Sequence, residues 1–320
     1  MFGLSGCCSS PGKNDWQRFE FKQPHMGTLF TITLYARNEA TGRSGAEAAF
    51  TKIAALDRMM TDYNPESELM RLSRKPAGEP IRVTDELFAI LQKSQRVAEV
   101  SDGAFDVTIG PVVRQWRRTR RTGVLPAPEA LTRARAAVGW QKLRLDPHNQ
   151  TVTLTVPDMQ LDLGGIAKGY AADQALAVLQ AQGLPRALVA ASGDIAIGDP
   201  PPGKRNWRVA MGKLDGNEGQ PARILFLHNA AVSTSGDAEQ FVEIGGQRYS
   251  HIINPHTGVG LTERLQVTVI GHHATDTDAF ATATSVLGVE RGVALLKSQP
   301  DLEGIFVQKK GDKIKVFQSK

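Results

Sequence analysis

The chain has 320 residues, a formal net charge of +5 and 41% hydrophobic residues, the composition of a globular chain with room for one large domain or two ordinary ones. It holds no uninterrupted apolar run of 18 residues, which argues against a membrane-spanning helix. Its two cysteines, Cys7 and Cys8, stand together near the start, so the body has no disulfide framework, thiolate metal site or cysteine nucleophile.

The first elements to be expected lie after a polar stretch. Residues Leu4 to Cys7 read LSGC, the small-residue pattern at which bacterial lipoprotein precursors are cleaved and lipidated. Only six residues precede Cys7, so the expectation is a precursor that begins upstream, with residues 1–20 as lipobox remnant and tether and 21–320 as the catalytic body. The TLFTITLY run at 28–35 alternates as a strand does. Ala46, Ala49, Phe50, Ile53, Leu56 and Met60 recur at helical spacing over 45–60. A second helix is predicted over 85–99, with Thr84 as its cap and Asp85 and Glu86 in the first turn. Arg114, Arg117, Arg118, Arg120 and Arg121 cluster around Trp116; such a cluster suits nucleic acid or an acidic partner, and without a nucleic-acid motif beside it, it reads rather as a solvated basic loop. Residues 142–156 read as a hairpin turned by Asp146 to Asn149. Strands are predicted near 186–191, 206–211, 223–227, 239–243 and 266–271, a helix near Asp276, and a last hairpin over 303–317 turning at Lys310-Gly311-Asp312. Stretches rich in Pro and Gly at 122–128 and 198–205 read as surface loops. Helices are few and hairpins many, so the class is α+β: a single large domain of mixed or antiparallel sheets with packed helices.

Three runs carry candidate chemistry. In LDLGGIAKGYAAD, Leu161 to Asp173, a strand end breaks at Gly164-Gly165 and enters a helix bearing Lys168 in its first turn. Adjacent glycines let backbone approach a ligand, and a helix N-terminus favours anionic oxygen, so the corner suits a phosphate; it equally suits close helix–strand packing. It is neither a Walker A loop nor a G-x-G-x-x-G fingerprint. In TDTDAFATATSVLG, Thr275 to Gly288, Asp278 and Thr282 are four apart and share a helix face. A carboxylate and a hydroxyl are hard ligands fit for Mg²⁺ and poor for zinc, although Asp278 as a plain helix cap also satisfies the spacing. In SHIINPHTG, Ser250 to Gly258, His251 precedes a Pro-containing turn and can take a proton from a hydroxyl; His256 is an equally plausible surface residue. Asp106 in GAFDVTIGP and the hydroxyl-rich STSGD at 233–237 complete the set.

Together these runs resemble the ApbE family of FAD:protein FMN transferases. The resemblance spans Met26 to about Gly288 in six ordered runs: MGT at 26–28, YNPESEL at 63–69, GAFDVTIGP at 103–111, LDLGGIAKGYAAD, STSGD with RYSHIINPHTG, and TDTDAFATATSVLG. It implies a T-fold-like architecture and Mg²⁺-dependent transfer of FMN from FAD to a Thr or Ser hydroxyl of a target protein, with AMP leaving. Asp278 and Thr282 then occupy the metal positions, with the carbonyl of Gly165 as third protein ligand. Met26, Tyr63, Ala104, Phe105, Asp106, Asp162 and Lys168 match FAD-contacting positions; His251 matches the general base, and Lys168 also serves catalysis. Relatives usually have Asp at Asn254 and Gly-Gly-Asp at Ser192-Gly193-Asp194, and loss of the first charge is expected to bear on how His251 is oriented. The resemblance implies no nucleic-acid partner. Its acceptors are flavoproteins of membrane electron-transfer complexes with an S-G-A-T or D-G-A-T-like motif, and its usual location is the periplasmic side of the inner membrane, lipid-anchored through a residue such as Cys7. Three other readings stay open: an FAD pyrophosphatase releasing FMN and AMP to water, a flavin carrier without catalysis, and an enzyme of unrelated class whose glycine corner binds another phosphate.

Overall fold

The computed structural model describes residues 16–212, 214, 223–236 and 240–320. In chain order come β1 (Gln17–His25), β2 (Thr28–Ala36), α1 (Glu39–Met60), α2 (Glu68–Ser73), β3 (Ile81–Arg82), α3 (Asp85–Val100), α4 (Gly110–Thr122), α5 (Pro128–Ala136), β4 (Leu143–Asp146), β5 (Thr151–Leu154) and α6 (Ala167–Ala181). Then follow β6 (Ala187–Ala191), β7 (Asp194–Ile197), β8 (Trp207–Met211), β9 (Arg223–Leu227), β10 (Ala230–Ser235), β11 (Phe241–Ile244), β12 (Gln247–Ser250), β13 (Ile253–Asn254), β14 (Val259–Gly260), β15 (Arg264–Gly271), α7 (Ala274–Lys297), β16 (Glu303–Lys310) and β17 (Lys313–Gln318). The lipobox remnant, Cys7 included, lies outside the described residues, and β1 starts at Gln17, inside the stretch assigned to the tether.

The centre is an eight-stranded sheet in the order β1-β2-β6-β7-β10-β15-β16-β17, antiparallel at every step. It is covered on both faces. Phe30, Ile32 and Leu34 of β2, Val189 of β6, Val267 and Val269 of β15 and Phe306 of β16 point into a core shared with α1, α6 and α7. Their neighbours of opposite parity, Tyr35, Leu188, Ile195, Ile270 and Val307, pack with Trp207, Val209, Met211 and Leu225 of the β8–β9 hairpin. Successive side chains of a strand point to opposite faces, so a sheet covered twice loses its polar alternation. Strand β15 is accordingly buried along most of its length, Gln266 and Thr268 included, although it still alternates over Leu265 to Val269.

Helix α6 is packed between α1 and α7 by small residues. A Cβ at Gly169 would stand 2.1 Å from the Ala274 carbonyl oxygen, and one at Gly45 of α1 would stand 2.3 Å from Leu184. Helix α1 begins at Glu39, six residues before the periodicity suggested, because Asn38 caps it by accepting the Thr41 N–H at 2.9 Å. Helix α7 draws its cap from outside: the Asp173 carboxylate on α6 accepts the N–H groups of Ala274 (2.8 Å) and Thr275 (2.9 Å) and the Thr275 hydroxyl (2.5 Å). Among the described residues α7 alone has the length and apolarity to cross a membrane, but half of that apolar window is buried against the sheet and Gly288 breaks the helix at φ 74°.

A smaller layer of α4, α5 and the β11–β12 and β13–β14 hairpins packs around Val112, Trp116, Ala134 and Ile253. The arginine cluster is therefore not a loop. Pro111 opens α4, Gly123 at φ 69° closes it, and Trp116 anchors it with an indole N–H to the Gly258 carbonyl at 2.8 Å.

Candidate active site

The catalytic, FAD-contacting and metal positions that the resemblance implies all line one cleft of about 990 Å³. The α6–α7 junction forms its floor. Asp278 Oδ2 accepts the Gly169 N–H at 3.0 Å and lies 3.5 Å from Lys168 Nζ, which also reaches Asp194 Oδ2 at 2.5 Å. Asp278 is buried, and that burial, with the like charge of Asp194, pushes its carboxyl up to about 7. Burial disfavours the Lys168 ammonium, but Asp194 and Asp278 outweigh it and hold its pKa above the ordinary value. Lys168 is thus a fixed cation. Asp194, which opens β7, is a member of this cluster that the sequence did not assign.

Gly165 leans on Thr282: a Cβ there would stand 3.0 Å from Thr282 Oγ1 and 3.3 Å from the Phe105 ring. One turn of helix and one glycine corner therefore bring a carboxylate, a hydroxyl and main chain to one spot. No trio of His, Cys, Asp or Glu that could hold a metal occurs among the described residues. The donors at this spot are a mixed oxygen set, which fits a hard cation such as Mg²⁺ and does not fit zinc.

A second cluster forms the wall. The Arg117 guanidinium pairs with Asp62 and, at 3.1 Å, with Asp162, and lies 4.3 Å from the centroid of the Tyr63 ring. Tyr63 is 74% exposed, a ring held over the cleft by a cation rather than by packing. Burial and the neighbouring Asp62 raise the Asp162 carboxyl above the usual range despite Arg117. Asp162 also accepts the Gly164 N–H at 2.8 Å, which fixes the first glycine of the corner. Asp106, raised mainly by burial, accepts the Thr108 N–H and hydroxyl at 2.8 and 2.7 Å. Met26, at φ 49° in the β1–β2 turn, gives its N–H to Asp57 at 2.9 Å.

His251 is exposed and lines the cleft. Its Nδ1 donates to the Gln240 carbonyl at 3.1 Å, which puts the basic lone pair of the neutral ring on Nε2. His256 does not line the cleft. Of the STSGD run, Ser233 is buried against Thr277 (2.8 Å), Thr234, Ser235 and Gly236 line the cleft, and Asp237 lies outside the described residues.

A model of the ApbE family matches residues 26–306. The chain belongs to the ApbE family. Relatives named FAD:protein FMN transferase include one from Treponema pallidum, 32% identical over 96% of this chain and 88% of its own length, and one from Klebsiella pneumoniae, 30% identical over 93% and 92%. Among solved structures, the flavin transferase ApbE from Vibrio cholerae superposes with a TM-score of 0.86 at 29% identity, covering 95% of this chain and 97% of that one. The apo flavinyl transferase ApbE from Pseudomonas stutzeri gives a TM-score of 0.83 at 29% identity, covering 95% of each.

Asn254 and Ser192, the two positions singled out as departures in the sequence, have local structural readings. Asn254 commits its side-chain oxygen to the His256 N–H (2.9 Å) and its carbonyl to the Gly258 N–H (2.7 Å), holding the β13–β14 turn. An aspartate can accept the same N–H, so the turn tolerates the exchange. Ser192 sits at φ 58° between β6 and β7, where glycine is less strained.

Proposed function

We propose that the chain is an FAD:protein FMN transferase, a Mg²⁺-dependent enzyme that moves FMN from FAD to a Thr or Ser hydroxyl of a target flavoprotein and releases AMP. The observation that carries this reading is the convergence, in one cleft, of a hard-oxygen donor set, a fixed ammonium and a histidine with its lone pair on Nε2.

Asp278, Thr282 and the Gly165 carbonyl would hold the cation. When bound, Mg²⁺ supplies charge neutralisation on the pyrophosphate. The chain's own groups account for the rest. Lys168 and the positive end of the α6 dipole face the negative charge that builds on the transferred phosphoryl oxygens. His251 takes the proton of the target hydroxyl as its oxygen forms the new bond to phosphorus. The phosphorus–oxygen bond to AMP breaks, and AMP leaves as the phosphate anion. Positioning and electrostatics dominate such a reaction. Tyr63 and Met26 offer stacking and apolar surface to the ring systems, while Asp106 and Asp162 offer acceptors for ligand hydroxyl or N–H groups.

The test is mass spectrometry of an acceptor fragment containing a Ser-Gly-Ala-Thr segment, incubated with the protein, FAD and Mg²⁺. The expected result is a mass gain of one FMN less one water on the threonine, abolished by EDTA and by Asp278→Ala. FMN and AMP accumulating with an unmodified fragment would make the enzyme a pyrophosphatase. The proposal extends to place: the LSGC run suits a lipid tether at Cys7 on the periplasmic side of the inner membrane, tested by whether Cys7→Ala releases the expressed precursor from the membrane fraction.

A further inference from the structure

Helix α4 carries five arginines and no carboxylate, and the nearest acidic residues in sequence are Asp106 before it and Glu129 after it. At about 100° per residue its side chains sort into three faces. Ile109, just before the helix, with Val113, Arg117 and Arg120 line the cleft. Val112, Trp116 and Thr119 are buried in the small layer. Arg114, Arg118 and Arg121, spaced i, i+4, i+7, form the third face, and all three are exposed. By that spacing their stripe borders the cleft-lining stripe on its solvent side.

None of these three arginines has an ion-pair partner among the described residues, although α5 and β11, which pack on α4, carry Glu129 and Glu243. The cleft face of the same helix reaches the histidine: Arg120 Nη1 is 3.4 Å from Gln240 Oε1, and the Gln240 carbonyl holds the His251 ring. Val124 and Leu125, exposed just past the end of α4, add an apolar spot at the stripe's end.

We propose that the Arg114–Arg118–Arg121 stripe docks an acidic segment of the acceptor protein and so guides its hydroxyl to His251; this rests on the transferase reading. Three guanidinium forks within two helical turns match carboxylates spaced along a polypeptide. The phosphates of FAD have their own cation in Lys168 on the cleft floor, so the stripe is not needed to hold them. Placed beside the entrance, it raises the encounter rate of an oppositely charged partner.

The test uses the whole chain, without FAD, and a fluorescein-labelled synthetic peptide in which a Ser-Gly-Ala-Thr core is flanked by three aspartates. The control peptide carries asparagines in their place. Anisotropy is expected to show the acidic peptide binding about tenfold tighter than the control, a preference lost at high salt and in the Arg114→Gln/Arg118→Gln/Arg121→Gln variant. That variant should keep its thermal midpoint and its affinity for FAD. Equal binding of the two peptides, or a preference that survives in the variant, overturns the proposal. So does a variant that loses only binding to phosphatidylglycerol vesicles, which would make the stripe a membrane contact. If the acidic peptide docks through the stripe but gains no FMN when FAD and Mg²⁺ are added, the transferase reading falls and the docking face stands.

Discussion

The Asp278 carboxylate accepts the backbone N–H of Gly169 at 3.0 Å, and this bond joins α6, just past the Gly164-Gly165 corner, to the helix that carries Asp278 and Thr282. It forms only because α6 and α7 touch at Gly169, where a Cβ would stand 2.1 Å from the Ala274 carbonyl oxygen, 2.6 Å from its carbon and 2.9 Å from Asp278 Cβ. Backbone cannot yield as a side-chain tip can. Gly169→Ala is expected to cost about 3 kcal/mol or more of stability, at the upper end of overpacking effects. It should also weaken Mg²⁺ binding, because the helices must part. Thermal unfolding with and without Mg²⁺ checks both effects.

The raised carboxyl of Asp278 makes a pH prediction with a definite sign. Its folded value is about 7 against an ordinary value of 3.8, so the native state holds the proton more tightly than the unfolded chain does. The metal-free protein should therefore lose stability as pH rises from about 4 to about 7, at no more than about 1.4 kcal/mol per pH unit from this group. A cation that binds the ionised form should stabilise increasingly over the same window. Burial also raises Asp106, Asp162 and Asp173, so the slope is not due to Asp278 alone. Asp278→Asn isolates its part: the slope flattens and the Mg²⁺-induced rise in thermal midpoint disappears. A wild-type stability curve rising from pH 4 to 7 without metal would contradict this.

Gly165, Lys168, Asp278, Thr282 and His251 stood out because each lies within a run whose local chemistry is self-contained: glycines at a corner, a carboxylate and a hydroxyl four apart, a histidine at a strand end; Met26, Tyr63, Ala104, Phe105 and Asp162 came only from the resemblance. Their partners were not. Arg117 reads as one arginine among five, and only the burial of Trp116 and Val112 decides that it turns into the cleft while Arg118 turns out. Asp194 pairs with Lys168 across 26 residues of sequence through the register of β6 on β7. The Asp173 cap on α7 spans about a hundred residues. Pro111 and Gly123 did bound α4 in the sequence, but its arginine-rich middle hid the helix. Strand β1 was missed because its pattern, Phe19 and Phe21 between polar residues, is that of an exposed edge strand.

The Asp173 cap has a measurable role. It satisfies two backbone donors and a hydroxyl at a helix start where His273 offers no side-chain cap. Asp173→Ala should cost about 2 kcal/mol, a lost cap plus partly buried donors left unpaired. Asp173→Asn retains one acceptor oxygen and should cost about half as much. Since α7 carries Asp278 and Thr282, both variants should also lower apparent Mg²⁺ affinity, in the same order, when followed by calorimetric titration.

Arg117 offers the sharpest separation of roles at the cleft wall. Its fork holds Asp62 and Asp162 while its plane lies 4.3 Å from the Tyr63 centroid. Its ion-pair and ring partners are Asp62, Asp162 and Tyr63, whereas Lys168 pairs with Asp194 and Asp278, so removing it should affect FAD binding more than turnover. Arg117→Met is expected to weaken FAD binding about tenfold, which corresponds to about 1.4 kcal/mol, and to leave kcat within a few-fold. Without the guanidinium the Asp162 carboxyl rises further, because burial and Asp62 are then opposed only by the Gly164 N–H. If FAD binds the ionised form of Asp162, its affinity should fall off at a higher pH in this variant than in the wild type. Arg117→Lys keeps a charge between the two carboxylates but not the fork or the stacking plane, so it should restore the pH midpoint more than the affinity. Fluorescence titration of FAD across pH separates these outcomes; a variant with normal affinity and lost kcat would instead place Arg117 among the groups that act on the reacting phosphate.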